Sequence, residues 1–147
     1  MIAGSRKFPG AAALACLGAL RSGTGYAKLA SIESVIFAVA SHSPDIIFEL
    51  LPEFKGTLSA SSAKDLIQLS TLADSLIVGP GLGNTEDIKL IVKTLVQSSN
   101  INCPIVLDAD GLSSIDKSLF DSINRDQPLL LTPHPGEMAK IMETDIS

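Results

Sequence analysis

Leu129-Leu130-Leu131-Thr132-Pro133-His134-Pro135-Gly136-Glu137-Met138-Ala139-Lys140 is the stretch whose reading decides the fold. Three leucines form an apolar run that stops at a polar turn, and an amphipathic helix starts at once. Such a run fits a buried strand of a parallel sheet. Pro133 keeps the residue before it out of helical conformation, and Pro135 suits a first helical position. Glu137 stands three residues after His134, where a carboxylate meets the free N–H groups of a first helical turn. The stretch therefore reads strand, turn, helix. It puts His134, Gly136 and Glu137 at the carboxyl end of a strand, the edge at which open α/β sheets bind ligands. Its plainer reading is a proline-rich connection with a solvated histidine.

The same pattern recurs upstream. Ser75-Leu76-Ile77-Val78 reads as a buried strand ending in Gly79-Pro80-Gly81-Leu82-Gly83. Asn84 and Asp87 are expected to cap a helix over 84–97, in which Ile88, Ile91, Val92 and Leu95 recur at helical spacing. Pro104-Ile105-Val106-Leu107 is the next strand, ending in Asp108-Ala109-Asp110-Gly111, and a short helix over 118–123 leads to Leu129. Met1 to Ser5 reads as the last residues of a strand running into a glycine turn. A helix over 9–22 follows, its Gly10, Ala11, Ala12, Ala13 and Ala15 making a surface small enough for close packing. The spacing then predicts a strand over 26–30 and a helix over 31–41 with Val35, Ile36 and Val39 inward. An edge strand over 45–51, a loop over 52–60 and a helix through Leu72 started by a Ser62/Asp65 capping box complete the pattern. Strands alternating with helices imply one α/β domain over 1–147 with a parallel sheet.

Composition narrows the function classes. The chain has 147 residues, 46% hydrophobic and 18% charged, which excludes disorder and allows a real core. Aromatic residues are 4% and Trp is absent, so aromatic stacking platforms are not expected. Net charge is −5 and no basic cluster exceeds Arg6-Lys7, which argues against nucleic acid as a partner. Cys16 and Cys103 sit in apolar surroundings without metal-ligand spacing, as expected for core cysteines in a reducing cytoplasm. Arg6-Lys7 before the apolar residues 11–20 has the outline of a signal peptide, but Pro9-Gly10 interrupts it and Arg21 closes it. The run is also far short of the ~20 apolar residues a membrane span requires, so no membrane association is expected.

Several strand ends carry chemistry. The Gly79 to Gly83 turn allows close backbone approach and offers N–H groups to an anion before a helix, or it is simply a tight turn. It lacks the Gly-Lys-Ser/Thr of a phosphate-binding loop and is no full G-x-G-x-x-G. Asp108 and Asp110 could orient a metal-bound phosphate or accept from a hydroxyl; the plainer reading is helix capping by Asp110 and solvation of Asp108. Gly4-Ser5 and Gly10-Ala11 bracket either a substrate wall or a plain helix–sheet contact. His42 reads as a surface residue. No Ser/His/Asp arrangement and no zinc spacing is present.

Four motifs in order carry a resemblance. They are Ala3-Gly4-Ser5 with Pro9-Gly10-Ala11 and Ala19 to Gly25; Val78 to Gly83; Val106-Leu107-Asp108-Ala109-Asp110-Gly111-Leu112; and Leu131-Thr132-Pro133-His134-Pro135-Gly136-Glu137-Met138. Together they resemble the ADP/ATP-dependent NAD(P)H-hydrate dehydratases of the ribokinase-like superfamily. The resemblance implies a three-layer, parallel-sheet, Rossmann-like domain. The implied activity is repair of hydrated NADH or NADPH (NADHX, NADPHX), with ADP or ATP as phosphoryl donor and Mg2+ assisting. It implies that Ala11, Gly81, Gly83, His134, Pro135, Gly136 and Glu137 line the hydrated-nicotinamide site. Asp108, Asp110 and Glu137 would then reach phosphate or metal-bound water, with no residue a direct metal ligand.

Departures from the family pattern are also legible. Ser113 stands where Asn is common and Ala12 where Pro is common. The family's Gly-x-Gly-Asp motif, whose Asp is the catalytic base, does not occur in this sequence. The resemblance thus covers the N-terminal part of such a domain, incomplete at both ends, with the catalytic Asp expected beyond Ser147. Little turnover by these residues alone is the expectation. The chain could act with a complementary C-terminal half or as a homo-oligomer. The alternatives are a ribokinase-like kinase for a small vitamin precursor, and a non-catalytic nucleotide-binding segment that needs a partner chain.

Overall fold

Short apolar runs bounded by Gly, Pro and Ser become strands, and the 3.6-periodic stretches between them become helices. The computed structural model describes residues 1–144. In chain order the elements are α1 (Pro9–Arg21), β1 (Ala27–Ser31), α2 (Glu33–Ala40), β2 (Ile46–Leu50), β3 (Glu53–Phe54), β4 (Thr57–Leu58), α3 (Ala63–Ser70), β5 (Leu76–Val78), α4 (Glu86–Val96), β6 (Ile105–Leu107), α5 (Lys117–Ser122), β7 (Leu129–Leu131) and α6 (Pro135–Met142). Single 3-10 turns at Ala60–Ser62 and Ala109–Ser114 precede α3 and follow β6.

β1 pairs with β2, and β5, β6 and β7 pair in that order, all parallel. Ile2 joins the two sets, bridging Ala30 on one side and Val78 on the other, again in parallel sense. The sheet order is therefore β2, β1, Ile2, β5, β6, β7. From Ile2 the chain winds outward to β1 and β2, then crosses to wind the other way through β5, β6 and β7. The reversal lies between Ile2 and β5, and a doubly wound sheet gathers its loops into a crevice at such a point. Met1 points toward α1, where its sulfur lies 3.4 Å from Cys16 Sγ. Pleating sends Ile2 to the opposite face, so helices cover both sides. α1 and α2 pack on each other and on β1, and α3 packs on α4. The core between them includes Leu29, Val35, Val78, Ile88, Ile91, Val92, Leu95, Ile105 and Leu107, all fully buried. Among the described residues no helix is long and apolar enough to cross a membrane.

Some local expectations need correction. Residues 52–60 are not plain loop: β3 and β4 form an antiparallel hairpin over the two-residue turn Lys55-Gly56. Both turn residues have positive φ, at 50° and 86°, as the twist of a tight hairpin demands. The cap of α4 is Thr85, whose hydroxyl accepts from Ile88 N at 3.3 Å, rather than Asn84. Asp87 instead accepts from Ala60 N at 2.8 Å, serving the 3-10 turn before α3. Ser62 caps nothing; its hydroxyl is buried without a hydrogen-bond partner, and Ser59 supplies the local cap. Ile36 is half-buried while Val35 and Val39 carry the inner face of α2. β7 is an edge among the described strands, with Leu130 57% exposed, so it is not buried on both faces as its composition suggests.

Because the Ile2 side chain is buried in the core at the centre of the sheet, Ile2→Ala should lower the unfolding free energy by about 2–4 kcal/mol. Ile36→Ala, half-buried on α2, should cost less; urea unfolding followed by circular dichroism ranks the two.

Candidate functional site

Four strand ends meet at the carboxyl edge: Gly4-Ser5, Gly79 to Gly83, Asp108 to Gly111, and Thr132 to Glu137. The first two are laced by backbone bonds. Gly4 N donates to Pro80 O at 2.8 Å and Gly79 N to Ile2 O at 3.1 Å. Gly79 has φ 130°, and a Cβ there would stand 1.8 Å from Asp108 O. Only glycine lets the β5 and β6 loops come this close. Gly81 meets α1 in the same way: a Cβ would lie 2.8 Å from Ala11 Cβ and 2.8 Å from Phe8 O. Ala11 and Gly81 thus form one small-residue wall. Gly83 completes it beside Thr57 of the hairpin, 3.2 Å from where its Cβ would be.

The glycine turn does not present a row of free N–H groups. Gly79 N bonds Ile2 O, Leu82 N bonds Gly79 O, and Gly83 N donates to Asp110 Oδ2 at 2.8 Å. Pro80 has no N–H, which leaves that of Gly81. The turn's main work is spacing.

Asp108 and Asp110 splay apart. β6 lies between β5 and β7, and its two carboxylates reach in opposite directions. Asp110 takes Gly83 N from the β5 loop, and Asp108 Oδ1 takes the Thr132 hydroxyl of the β7 loop at 2.7 Å. Ala109 between them has φ 48°, a left-handed backbone uncommon for a residue with a Cβ. The remaining oxygens, Asp108 Oδ2 and Asp110 Oδ1, make no hydrogen bond within the described residues.

His134 and Glu137 form a reciprocal cap on α6. His134 Nδ1 accepts from Gly136 N at 3.1 Å and from Glu137 N at 3.4 Å, while Glu137 Oε2 accepts from His134 N at 2.9 Å. Acceptance at Nδ1 puts the proton of the neutral ring on Nε2, which stands 3.6 Å from Glu137 Oε1. The imidazole is 67% exposed and the carboxylate 16%, so the ring faces solvent and the acid faces inward. Glu137 lines a recess of about 150 Å³ with Asn84, Leu112, Ser113, Ile115 and Lys140.

Geometry thus brings Ala11, Gly81 and Gly83 together on one wall. Pro135, Gly136, His134 and Glu137 sit together in the first turn of α6, with Asp108 and Asp110 between the two groups. The hairpin is the part that sequence reading missed. Arg6 N donates to Gly56 O at 2.8 Å and Arg6 pairs with Glu53, so the hairpin closes over the first loop. The Lys55-Gly56 dipeptide was its available signal. Among the described residues, no group of three or more His, Cys, Asp or Glu side chains could hold a metal ion. Burial pushes both cysteine thiols up from their usual range, which leaves them poor nucleophiles.

A parallel sheet wound both ways from one seam, with small-residue and acidic loops at its carboxyl edge, defines a Rossmann-like α/β domain. A ribokinase-like superfamily protein from Enterococcus faecalis has this architecture, at TM-score 0.77 and 19% identity over 97% of this chain and 46% of that one. The sequence pattern of the NAD(P)H-hydrate dehydratase family matches residues 1–146, and the chain belongs to that family. The bifunctional NAD(P)H-hydrate repair enzyme of Thermofilum pendens is 34% identical over 141 residues, covering 95% of this chain and 26% of that protein. The crystal structure of the ADP/ATP-dependent NAD(P)H-hydrate dehydratase of Bacillus subtilis, grown with ATP and Mg2+, aligns at TM-score 0.71 and 30% identity. That alignment covers 97% of this chain and 46% of the Bacillus chain. The chain therefore spans about a quarter to a half of the length of these relatives.

Gly79→Ala should be the most damaging single change at this edge. Strain at positive φ and collision with Asp108 O together should cost at least about 3 kcal/mol, read as loss of the cooperative unfolding transition. Thr132→Val, which removes one partner of Asp108, should cost only about 1 kcal/mol by the same measurement.

Proposed function

We propose that this chain forms the hydrated-nicotinamide side of an ADP- or ATP-dependent NAD(P)H-hydrate dehydratase, as the N-terminal part of that domain. The observation that carries the reading is that the Ala11–Gly81–Gly83 wall and the His134–Glu137 turn lie on the same carboxyl edge of the sheet, with the β6 aspartates between them, in a chain of this family. Ala11, Gly81 and Gly83 themselves carry no large side chain, so a flat ring could lie against backbone there, beside Phe8. His134 offers its ring face and Nε2–H at the opposite rim. Pro135 fixes the start of α6, and Gly136 N donates to the imidazole Nδ1.

The chemistry follows from leaving groups. The hydroxyl on a hydrated nicotinamide ring is a poor leaving group, and its phosphate ester is a much better one. A bound nucleotide would supply the phosphoryl group, and the ring would then lose phosphate to regenerate NADH or NADPH. Within this chain, Glu137, Asp108 and Asp110 can hold water through their unengaged oxygens. Mg2+, which prefers to keep several waters and to bind through phosphate, would be met by these carboxylates through its water shell. The catalytic base belongs to the Gly-x-Gly-Asp motif that this sequence lacks, and further polypeptide would supply it. A cytoplasmic setting fits the two reduced, buried cysteines.

Calorimetry with hydrated NADH tests the reading. Saturable binding is expected, and Ala11→Leu should weaken it about tenfold by filling the wall. No affinity for hydrated NADH would overturn the assignment. Recovery of reduced-nicotinamide absorbance with Mg2+ and ADP or ATP is expected only when a polypeptide carrying Gly-x-Gly-Asp is added. Recovery by this chain alone would show that the base lies within these residues.

A further inference from the structure

Arg6-Lys7 is the only pair of adjacent basic residues in the sequence, and folding brings a third cation to it. The hairpin turn Lys55-Gly56 lies on this loop. Arg6 N donates to Gly56 O at 2.8 Å, and a Cβ on Gly56 would stand 3.4 Å from Arg6 Cβ. Arg6 is neutralised by Glu53 of the same hairpin. Lys7 and Lys55 make no ion pair among the described residues. Each instead lays its ammonium over the ring of an exposed phenylalanine. Lys7 Nζ is 5.2 Å from the centre of the Phe8 ring, and Lys55 Nζ is 5.1 Å from that of Phe54. A cation over an aromatic face keeps its N–H groups for an anion. Lys55 has φ 50°, at a turn position where Asn, Asp or Gly is the usual choice. A lysine kept there against backbone preference points to a use for its charge.

These two cations flank the small-residue wall. Phe8 O and Phe8 Cβ lie 2.8 and 2.9 Å from where a Gly81 Cβ would be, so Lys7 stands one residue from the wall. Thr57, two residues after Lys55, meets Gly83 at the wall's other end. Beyond the wall stand the carboxylates of Asp108, Asp110 and Glu137, with Lys140 beside Glu137 in its recess. Charge along this edge therefore changes sign across the wall, from basic on the Ile2 side to acidic on the β6 side. A ring on the wall that carries a polyanionic tail is attracted over the lysines and repelled over the carboxylates.

We propose that Lys7 and Lys55 clamp the pyrophosphate of a dinucleotide whose nicotinamide ring lies on this wall, an inference that rests on the hydrated-nicotinamide reading above. The pyrophosphate carries two negative charges, one ribose away from the ring, and two ammonium groups match it. Lysine suits this task as a mobile point charge that follows a flexible phosphate chain. The hairpin thereby acquires a role in binding: its turn carries one half of the clamp, and its backbone bond to Arg6 holds that half beside the other.

Calorimetry with two ligands separates the clamp from the ring site. Hydrated NADH carries the pyrophosphate, whereas hydrated reduced nicotinamide riboside carries the ring and sugar without phosphate. The full chain should bind hydrated NADH about tenfold more tightly than the riboside. Lys7→Gln combined with Lys55→Asn removes both charges, and Asn suits the left-handed turn. This double variant should lose most of that preference and keep the original affinity for the riboside. Lys7→Arg combined with Lys55→Arg should restore the preference. A riboside bound as tightly as the dinucleotide, or a double variant that weakens both ligands alike or neither, overturns the clamp and leaves the ring site standing. Binding of neither ligand by the unaltered chain overturns the ring site and the clamp with it. Hydrated NADPH should lose affinity by the same factor as hydrated NADH. A loss confined to hydrated NADPH would assign the lysines to its 2′-phosphate and overturn the pyrophosphate assignment.

Discussion

The sheet is continuous through one short track centred on Ile2, a residue whose own backbone bonds β5 while its chain neighbours bond β1. Its N–H goes to Ile77 O and its carbonyl takes Gly79 N, while the preceding carbonyl of Met1 takes Ala30 N. Beyond it the ladder stops, and Ser31 continues the join by side chain, donating to Ala3 O at 2.7 Å in a fully buried position. Everything downstream inherits this geometry. With Ile2 central, the chain must wind one way to β1 and β2 and the other way to β5, β6 and β7. That reversal is why Gly4 lies against Pro80, and why α1 delivers Ala11 to the glycine turn.

The loops at the carboxyl edge hold one another in place. Backbone contact joins the β5 and β6 loops at Gly79, and carboxylates join each loop to the next. A pair of aspartates one residue apart invites a chelating reading, and the structure argues against it. The left-handed turn at Ala109 sends the two side chains to different neighbours, so each staples one loop and keeps one oxygen in reserve. Charge-assisted hydrogen bonds of this type are stronger than neutral ones and fix loop positions without a metal. The same economy applies to His134, whose Nδ1 caps α6 and thereby fixes which ring nitrogen carries the proton. Preorganised walls and a defined tautomer favour recognition of a flat, polar-edged ligand.

Sequence patterns revealed most of this, for identifiable reasons. Helix α4 and strands β5 and β6 were legible because periodicity and glycine punctuation agree there. The His134–Glu137 box was legible because capping is local and its spacing is fixed. What was not legible depended on tertiary partners. Asp87 has the look of a helix cap, yet it serves Ala60, twenty-seven residues earlier. Ser62 has the spacing of a capping box, yet the chain enters α3 through a 3-10 turn and leaves that hydroxyl unpaired. The β3–β4 hairpin has no apolar alternation to announce it; only Lys55-Gly56 does. The spacing role of Gly79 could be guessed from composition, but not that its neighbour would be the carbonyl of Asp108.

β7 shows how composition and position can conflict within one strand. Leu129, Leu130 and Leu131 have the makeup of a strand covered on both faces, yet the outer edge of β7 is open among the described residues. An open apolar edge is a template for unwanted pairing, and such edges need a guard. Pro128 gives its carbonyl inward to Ile105 N at 3.0 Å, so the backbone groups of Leu129 and Leu131 are the ones that turn outward. Pro133 is next in that outward series and has no N–H to donate, which ends the ladder on that side. The proline that ends the strand thus limits pairing at the edge, while Pro135, two residues on, starts the helix that carries Glu137 to the site.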